Sequence, residues 1–233
     1  MQPVCHRGIA QTRPHQGTRP RHMAHPAMQS MGRFRIRPCT MKHFIDFHTH
    51  HPSRQGELVI QQDVDSWGIH PWQADQSAPT EFPSDHPYLA IGECGLDKVC
   101  TTPFSLQMEV FLKHIQWSET LRKPLIIHCV KAFDEMLSLR RQSKATQPWI
   151  LHGFRGKRQQ MQSLLSHGFY ISFGFHYNPQ SLLSCPLESM LLETDDDPRP
   201  ISLLYNQVAI ELGISISKLS SQMENNYHTI FGA

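Results

Sequence analysis

The stretch Phe44-Ile45-Asp46-Phe47-His48-Thr49-His50 decides how this chain reads. Its first residues are largely apolar on consecutive positions, as in a strand buried on both faces. It ends in two imidazoles two positions apart. Along a strand, residues i and i+2 point to one face, so His48 and His50 can reach a single ion. A short apolar run closed by an acid or an imidazole recurs in Trp67-Gly68-Ile69-His70-Pro71, Ala90-Ile91-Gly92-Glu93, Leu125-Ile126-Ile127-His128, Trp149-Ile150-Leu151-His152-Gly153 and Met190-Leu191-Leu192-Glu193-Thr194-Asp195. Polar residues of ligand type at the C-terminal ends of successive parallel strands are how a (β/α) barrel builds an active site. The pattern implies an α/β fold, a TIM-like (β/α) barrel, carrying a metallohydrolase site.

Strands are expected at 43–48, 58–62, 66–70, 89–93, 125–129, 149–153, 169–173 and 190–194, and helical periodicity separates the later ones. Thr102-Pro103 reads as a cap and first-turn proline ahead of a helix with Phe104, Met108, Phe111, Ile115 and Leu121 on one face. Further helices are expected over 131–142, 157–167 (stopped by Gly168), 202–212 (stopped by Gly213) and 217–230. Alternation of strand and helix means parallel pairing with right-handed crossovers. The early part departs from this. Only 17 residues separate His50 from Gly68, too few for a helix and two connections, and 58–62 lies three residues from 66–70, a hairpin spacing. The expected barrel is therefore shortened in its early βα units, lacking one or two helices, in about 190 residues rather than the roughly 250 usual for the fold.

The 233 residues suffice for one domain with a full core. No run approaches the roughly 18 apolar residues of a membrane span, so no membrane association is expected. The net charge of +2 conceals an asymmetry. Residues 1–40 hold seven arginines and no Asp, Glu or Lys, which leaves 15 basic against 20 acidic residues in 41–233. Without apolar periodicity, residues 1–40 cannot offset their ordering entropy, and they read as a disordered basic extension outside the 41–233 barrel. Met41 is the expected natural start. An organelle transit peptide and a nucleic-acid-binding arm are the rival readings. The six cysteines form no CxxC pair and no disulfide framework, and Cys94 and Cys129 sit inside apolar runs. Reduced, buried thiols point to a cytoplasmic setting.

Glu93, flanked by Gly92 and Gly95, is the natural carboxylate to bridge two cations. His128 and His152 close almost wholly apolar runs in equivalent positions. Either alone reads as a satisfied core histidine; together with His48, His50 and Glu93 they read as ligands. Asp195 closes the last run, opposite the first strand of a closed barrel, where it can bind metal and accept a proton from a water. The plainer alternative is an acidic turn. His70 suits donation to an anionic substrate rather than metal binding. Lys98, Lys131, Arg155, Lys157, Arg158 and Arg199 all follow site-bearing strands. Cations gathered at one mouth of an acidic core suggest a phosphate-bearing substrate, with Lys131 and Arg155 among its contacts; solvated loop charge is the alternative.

These motifs resemble the TatD family of metal-dependent hydrolases, within the amidohydrolase superfamily. They are Asp46-x-His48-x-His50, Gly68-Ile69-His70-Pro71, Ile91-Gly92-Glu93-Cys94-Gly95-Leu96-Asp97, Pro124-Leu125-Ile126-Ile127-His128, His152-Gly153-Phe154-Arg155-Gly156 and Leu192-Glu193-Thr194-Asp195, in family order across 43–233. The resemblance implies two divalent metal ions (Mg, Mn or Zn), one held by His48, His50, Glu93 and Asp195, the other by Glu93, His128 and His152. It implies cleavage of phosphodiester bonds in DNA or short nucleotides through a metal-activated water, with Asp195 and Glu93 as the catalytic carboxylates. Two departures bear on substrate scope: Lys98-Val99-Cys100 follows the Gly-Leu-Asp motif, and the last motif continues Asp196-Asp197-Pro198. An enzyme cleaving a C–N or C–O bond of a small molecule, and a non-catalytic metal-binding protein, are the alternatives.

Overall fold

The strands run Phe44–Thr49 (β1), Glu57–Gln61 (β2), Ser66–Trp67 (β3), Ala90–Asp97 (β4), Leu125–Val130 (β5), Trp149–Leu151 (β6), Phe169–Phe173 (β7) and Met190–Leu192 (β8). Six helices follow β4: Phe104–Leu121 (α1), Phe133–Ser143 (α2), Arg158–Leu165 (α3), Pro179–Ser184 (α4), Ile201–Leu212 (α5) and Ile216–Phe231 (α6). The computed structural model describes residues 44–75, 81–83 and 85–232. The expectations for residues 1–40 and Met41 lie outside these.

Among the described residues all strand pairing is parallel. β1 pairs with β2, and β3 through β8 pair in sequence order. Single parallel bridges, Gln62 to Ser66 and Thr49 to Asp195, join the two sheets into a cycle. The eight expected strands are present, with β3 cut to two residues and β4 extended to Asp97. The core on the two faces of the strands is apolar: Phe47, Ile91, Leu96, Ile126, Trp149, Ile150, Phe173 and Leu191 are fully buried, and Phe47 packs against Tyr227 and Phe231 of α6. Each such side chain contributes about 1.5–3 kcal/mol.

The expected hairpin does not form. Val64 and Asp65 both donate their amides to the Gln61 carbonyl, at 3.2 and 2.8 Å. This single turn returns the chain in its original direction, so β3 runs parallel to β2. The shortening is also greater than expected. Among the described residues no α-helix lies between β1 and β4; a 3-10 turn at Pro71–Gln73 is the nearest substitute. Thr102 does not cap α1. Its hydroxyl donates to the Trp72 carbonyl at 3.0 Å, and Pro103 occupies the cap position without a side-chain bond. The short α4 had no periodic signal; Asn178 starts it by accepting the amides of Gln180 and Ser181. Among the described residues no helix is long and apolar enough to cross a membrane.

Candidate metal centre

Glu93 stands at the centre of a ring of imidazoles delivered by different strands. One oxygen, Oε2, lies 3.3 Å from His48 Nε2 on β1 and 3.6 Å from His50 Nε2 just after it. The other, Oε1, lies 2.8 Å from His128 Nδ1 on β5, 2.7 Å from His152 Nε2 just after β6, and 3.2 Å from His70 Nε2 after β3. Asp195 places Oδ1 3.6 Å from His50 Nε2 and 3.9 Å from His48 Nε2. The two oxygens of Glu93 thus face two groups of donors, which adjoin where His48 and His152 approach each other. Flanking glycines make room for this: a Cβ on Gly92 would meet the Ile126 carbonyl, and one on Gly95 the His128 carbonyl. Both have positive φ, so the bulk of a side chain is excluded twice over.

Asp195 reaches the ring through the closure of the barrel. Its amide donates to the His48 carbonyl at 3.0 Å, and its carbonyl accepts the His50 amide at 3.1 Å. Its backbone is left-handed, with φ of 56°, a conformation Asp adopts more readily than most residues.

Burial pushes the Glu93 carboxyl up, but His152, His128 and His48 outweigh it and hold Glu93 well below the usual range. Burial likewise opposes the His152 imidazolium, while Glu93 and Glu193 together raise it well above the ordinary value. Burial raises Asp195, against the pull of His152. His50 is raised chiefly by its bond to Glu93.

The donor set fits divalent ions. His48 is fully buried, yet neither of its ring nitrogens has a hydrogen-bond partner, nor does His152 Nδ1. Leaving such groups unpaired costs about 1–3 kcal/mol each. Ligand atoms about 2.1 Å from one ion lie roughly 3–3.5 Å apart, close to the observed separations. His48, His50 and Asp195 form one set of mutually close donors; Glu93 joins His48 and His152 in a second and His70 and His128 in a third.

The structure therefore brings together His48, His50, Glu93, His128, His152 and Asp195, with His70 beside them. His70 Nδ1 accepts the Trp72 amide at 3.3 Å, so its neutral ring carries the proton on Nε2 and faces Glu93 as a donor. Several of the expected cations are engaged by other groups. Lys98 is paired with Glu135 at 2.6 Å, and Arg199 with Asp197 at 2.6 Å. Lys131 lines a separate depression with Phe133, Asp134 and Gln160, between α2 and α3. Lys157 and Arg158 are exposed where α3 begins. Arg155 lines a depression with Asp195, Glu193 and Phe175, and among the described residues it forms no ion pair; Arg199 stands over the Phe175 ring of the same depression, 3.7 Å from its centroid.

Two carboxylates escaped the sequence reading as site residues. Asp97 sits 3.3 Å from His128 Nε2, accepting also from Trp72 Nε1 at 2.8 Å and from the Val99 amide at 2.7 Å. Glu193 sits 3.4 Å from His152 Nδ1 and accepts the Gly153 amide at 2.5 Å. Each stands behind a ring-forming histidine, the arrangement that orients metal-binding imidazoles. Their signal was present: both are acids at the end of an apolar run.

The profile of the family described as TatD related DNase matches residues 47–232. The chain belongs to the TatD family of metal-dependent hydrolases. It is 29% identical over 203 residues to the uncharacterized metal-dependent hydrolase YcfH of Escherichia coli K12, covering 75% of this chain and 77% of that one. It is 26% identical over 223 residues to the protein named 3'-5' ssDNA/RNA exonuclease TatD of the same organism, covering 77% and 83%. Among solved structures, the TatD homologue YjjV of E. coli superimposes with a TM-score of 0.71 at 18% identity, covering 83% of this chain and 99% of that one. The TIM-like barrel expected from the strand pattern is thus the fold of its TatD neighbours.

Proposed function

We propose that this TatD-family hydrolase cleaves phosphodiester bonds of nucleic acid or short nucleotides. The observation that carries the reading is the division of Glu93 between two donor groups. His48, His50, Glu93 and Asp195 would hold one divalent ion; Glu93, His128 and His152 would hold a second. Such ions supply Lewis-acid stabilisation of phosphoryl oxygens and acidify water. The protein's own groups do the rest. Asp195, whose pKa is raised by burial, accepts the proton of the attacking water at the carboxylate oxygen turned away from His48 and His50. His70 Nε2–H, which faces Glu93 in the free protein, turns to a phosphate oxygen of the bound substrate. Arg155, unpaired at the rim, balances the substrate's charge. The name of the E. coli TatD relative, an exonuclease on single-stranded DNA and RNA, supports this substrate class. The thiols of Cys94 and Cys129 are free, and burial raises both, Cys129 to about 12; unreactive thiols of this kind support a reducing, cytoplasmic setting.

The test combines metal analysis of the purified protein with cleavage of single- and double-stranded DNA under magnesium, manganese or zinc. Cleavage should be metal-stimulated and lost in Glu93→Ala and Asp195→Asn. Undiminished activity in both variants would refute the roles assigned here. Turnover of lactones or cyclic amides, with none of nucleic acid, would replace the reaction by C–O or C–N cleavage.

A further inference from the structure

We infer that Trp72 is a stacking platform for an unpaired nucleobase next to the phosphate being cleaved; the inference rests on the phosphodiesterase reading. Trp72 is 61% exposed, large for an indole. It is also fixed. Its Nε1–H donates to Asp97 at 2.8 Å, its amide donates to His70 Nδ1 at 3.3 Å, and its carbonyl accepts the Thr102 hydroxyl at 3.0 Å. The ring meets His70 at nearly a right angle, 83° with centroids 4.7 Å apart, and His128 at 76° and 6.2 Å. An indole held by its polar edge and by its backbone keeps ring surface free for a partner.

Trp72 also borders the chemistry. Trp72 lines a cleft of about 400 Å³ with His50, His70, Glu93, His128 and Asp195. A flat group resting on the indole therefore sits one imidazole away from the donor ring. Among the parts of a phosphodiester substrate, the nucleobase is planar, apolar on its faces and adjacent to the phosphate. Base–aromatic stacking is strong and indifferent to sequence, because every base has a π face. In a duplex those faces are already covered by neighbouring pairs, so an end must be unpaired for its base to reach Trp72.

The experiment uses the full chain loaded with manganese. Short single-stranded DNA oligonucleotides are compared in kcat/KM with counterparts carrying an abasic residue at one terminus or the other. The wild type should favour the base-bearing form at one terminus by roughly ten- to a hundredfold, as the loss of one stacked base implies. Trp72→Ala should bring that ratio close to one. Trp72→Phe should keep most of it, because the ring face remains although the bond to Asp97 is lost. Rates are normalised to bound manganese, so a fall in metal content is not mistaken for lost stacking. Equal turnover of base-bearing and abasic substrates by the wild type, or an unchanged ratio in Trp72→Ala, overturns the platform alone. No turnover of any oligonucleotide by the wild type overturns the phosphodiesterase reading and the platform with it.

Discussion

Acidification from neutral pH should destabilise the protein through His114, a residue of α1 outside the metal centre. His114 is fully buried, and both ring nitrogens are committed. Nδ1 lies 2.7 Å from the Val110 carbonyl and so donates; Nε2 accepts the Ile69 amide at 2.9 Å. A second proton would land on Nε2, facing a donor. Burial, with Lys113 assisting and the Val110 bond opposing, lowers the pKa from 6.5 to about 4. The unfolded chain takes up this proton below about pH 6.5 and the native chain does not until about pH 4. Stability is therefore unaffected above pH 6.5, falls as the pH drops through this window, and levels off below it. A difference of about 2.5 units at 1.36 kcal/mol each gives a loss of about 3 kcal/mol by pH 4, and about 2 kcal/mol by pH 5. Urea unfolding at a series of pH values, in wild type and His114→Gln, isolates this contribution in the difference between the two curves, since the other histidines are common to both. The variant should be less stable at pH 7 by about 1–3 kcal/mol, from the lost buried bonds, and the gap should close on acidification. Parallel curves would refute the reasoning, as would an NMR titration of His114 with its midpoint near 6.5.

Three further outcomes are expected. In Asp97→Asn, His128 loses the carboxylate behind Nε2, and manganese affinity should fall about 10–100-fold; a change under twofold would show that Asp97 does not orient His128. Manganese should raise the melting temperature of the wild type, by about 2.7 kcal/mol of stability at a hundredfold excess over Kd, and a chelator should reverse it. In Glu93→Gln, where both donor groups lose their shared carboxylate, the rise should vanish, as scanning calorimetry would show. Arg155→Ala should raise KM for oligonucleotides roughly two- to fivefold, the range of an exposed ion pair, with a shallower dependence on salt; an unchanged KM and salt slope would remove Arg155 from the substrate's path.

The convergence of His48, His50, Glu93, His128, His152 and Asp195 was legible because each closes an apolar run, and in a parallel barrel such ends share one rim. What stayed hidden depended on partners distant in sequence or on chain reversal. The turn after Gln61 has the spacing of a hairpin, and nothing in Asp63-Val64-Asp65 announces that its amides fold back on a single carbonyl. Lys98 looked like a free cation because Glu135 lies on α2, 37 residues away. Trp72 belongs to no periodic segment, so its place between Asp97 and the cleft followed only from three-dimensional neighbours. Thr102 looked like a cap because Thr-Pro is a sound helix start; the Trp72 carbonyl was the competing acceptor.

The same bonds that close the barrel also assemble its centre. The segment after β8 meets β1 as a bridge at one point, Thr49 opposite Asp195, at the end of the barrel where the donors lie. Further down, at Ile45, Tyr205 of α5 takes the place of a neighbouring strand: its hydroxyl donates to the Ile45 carbonyl at 3.0 Å and accepts the Ile45 amide at 3.1 Å. A phenol can satisfy one residue's backbone pair but cannot hold a seam in register, so the register rests on the two backbone bonds that join Asp195 to His48 and His50. Beside them, Asp46 accepts both the amide and the hydroxyl of Thr194, at 3.0 and 2.7 Å, fixing the residue before Asp195. Binding an ion across His48, His50 and Asp195 therefore crosslinks the first and last strands where few other bonds do. Because the ion favours the closed seam, closure and metal affinity must rise and fall together, and substitutions at Thr194 or Asp46 act on both without touching a ligand.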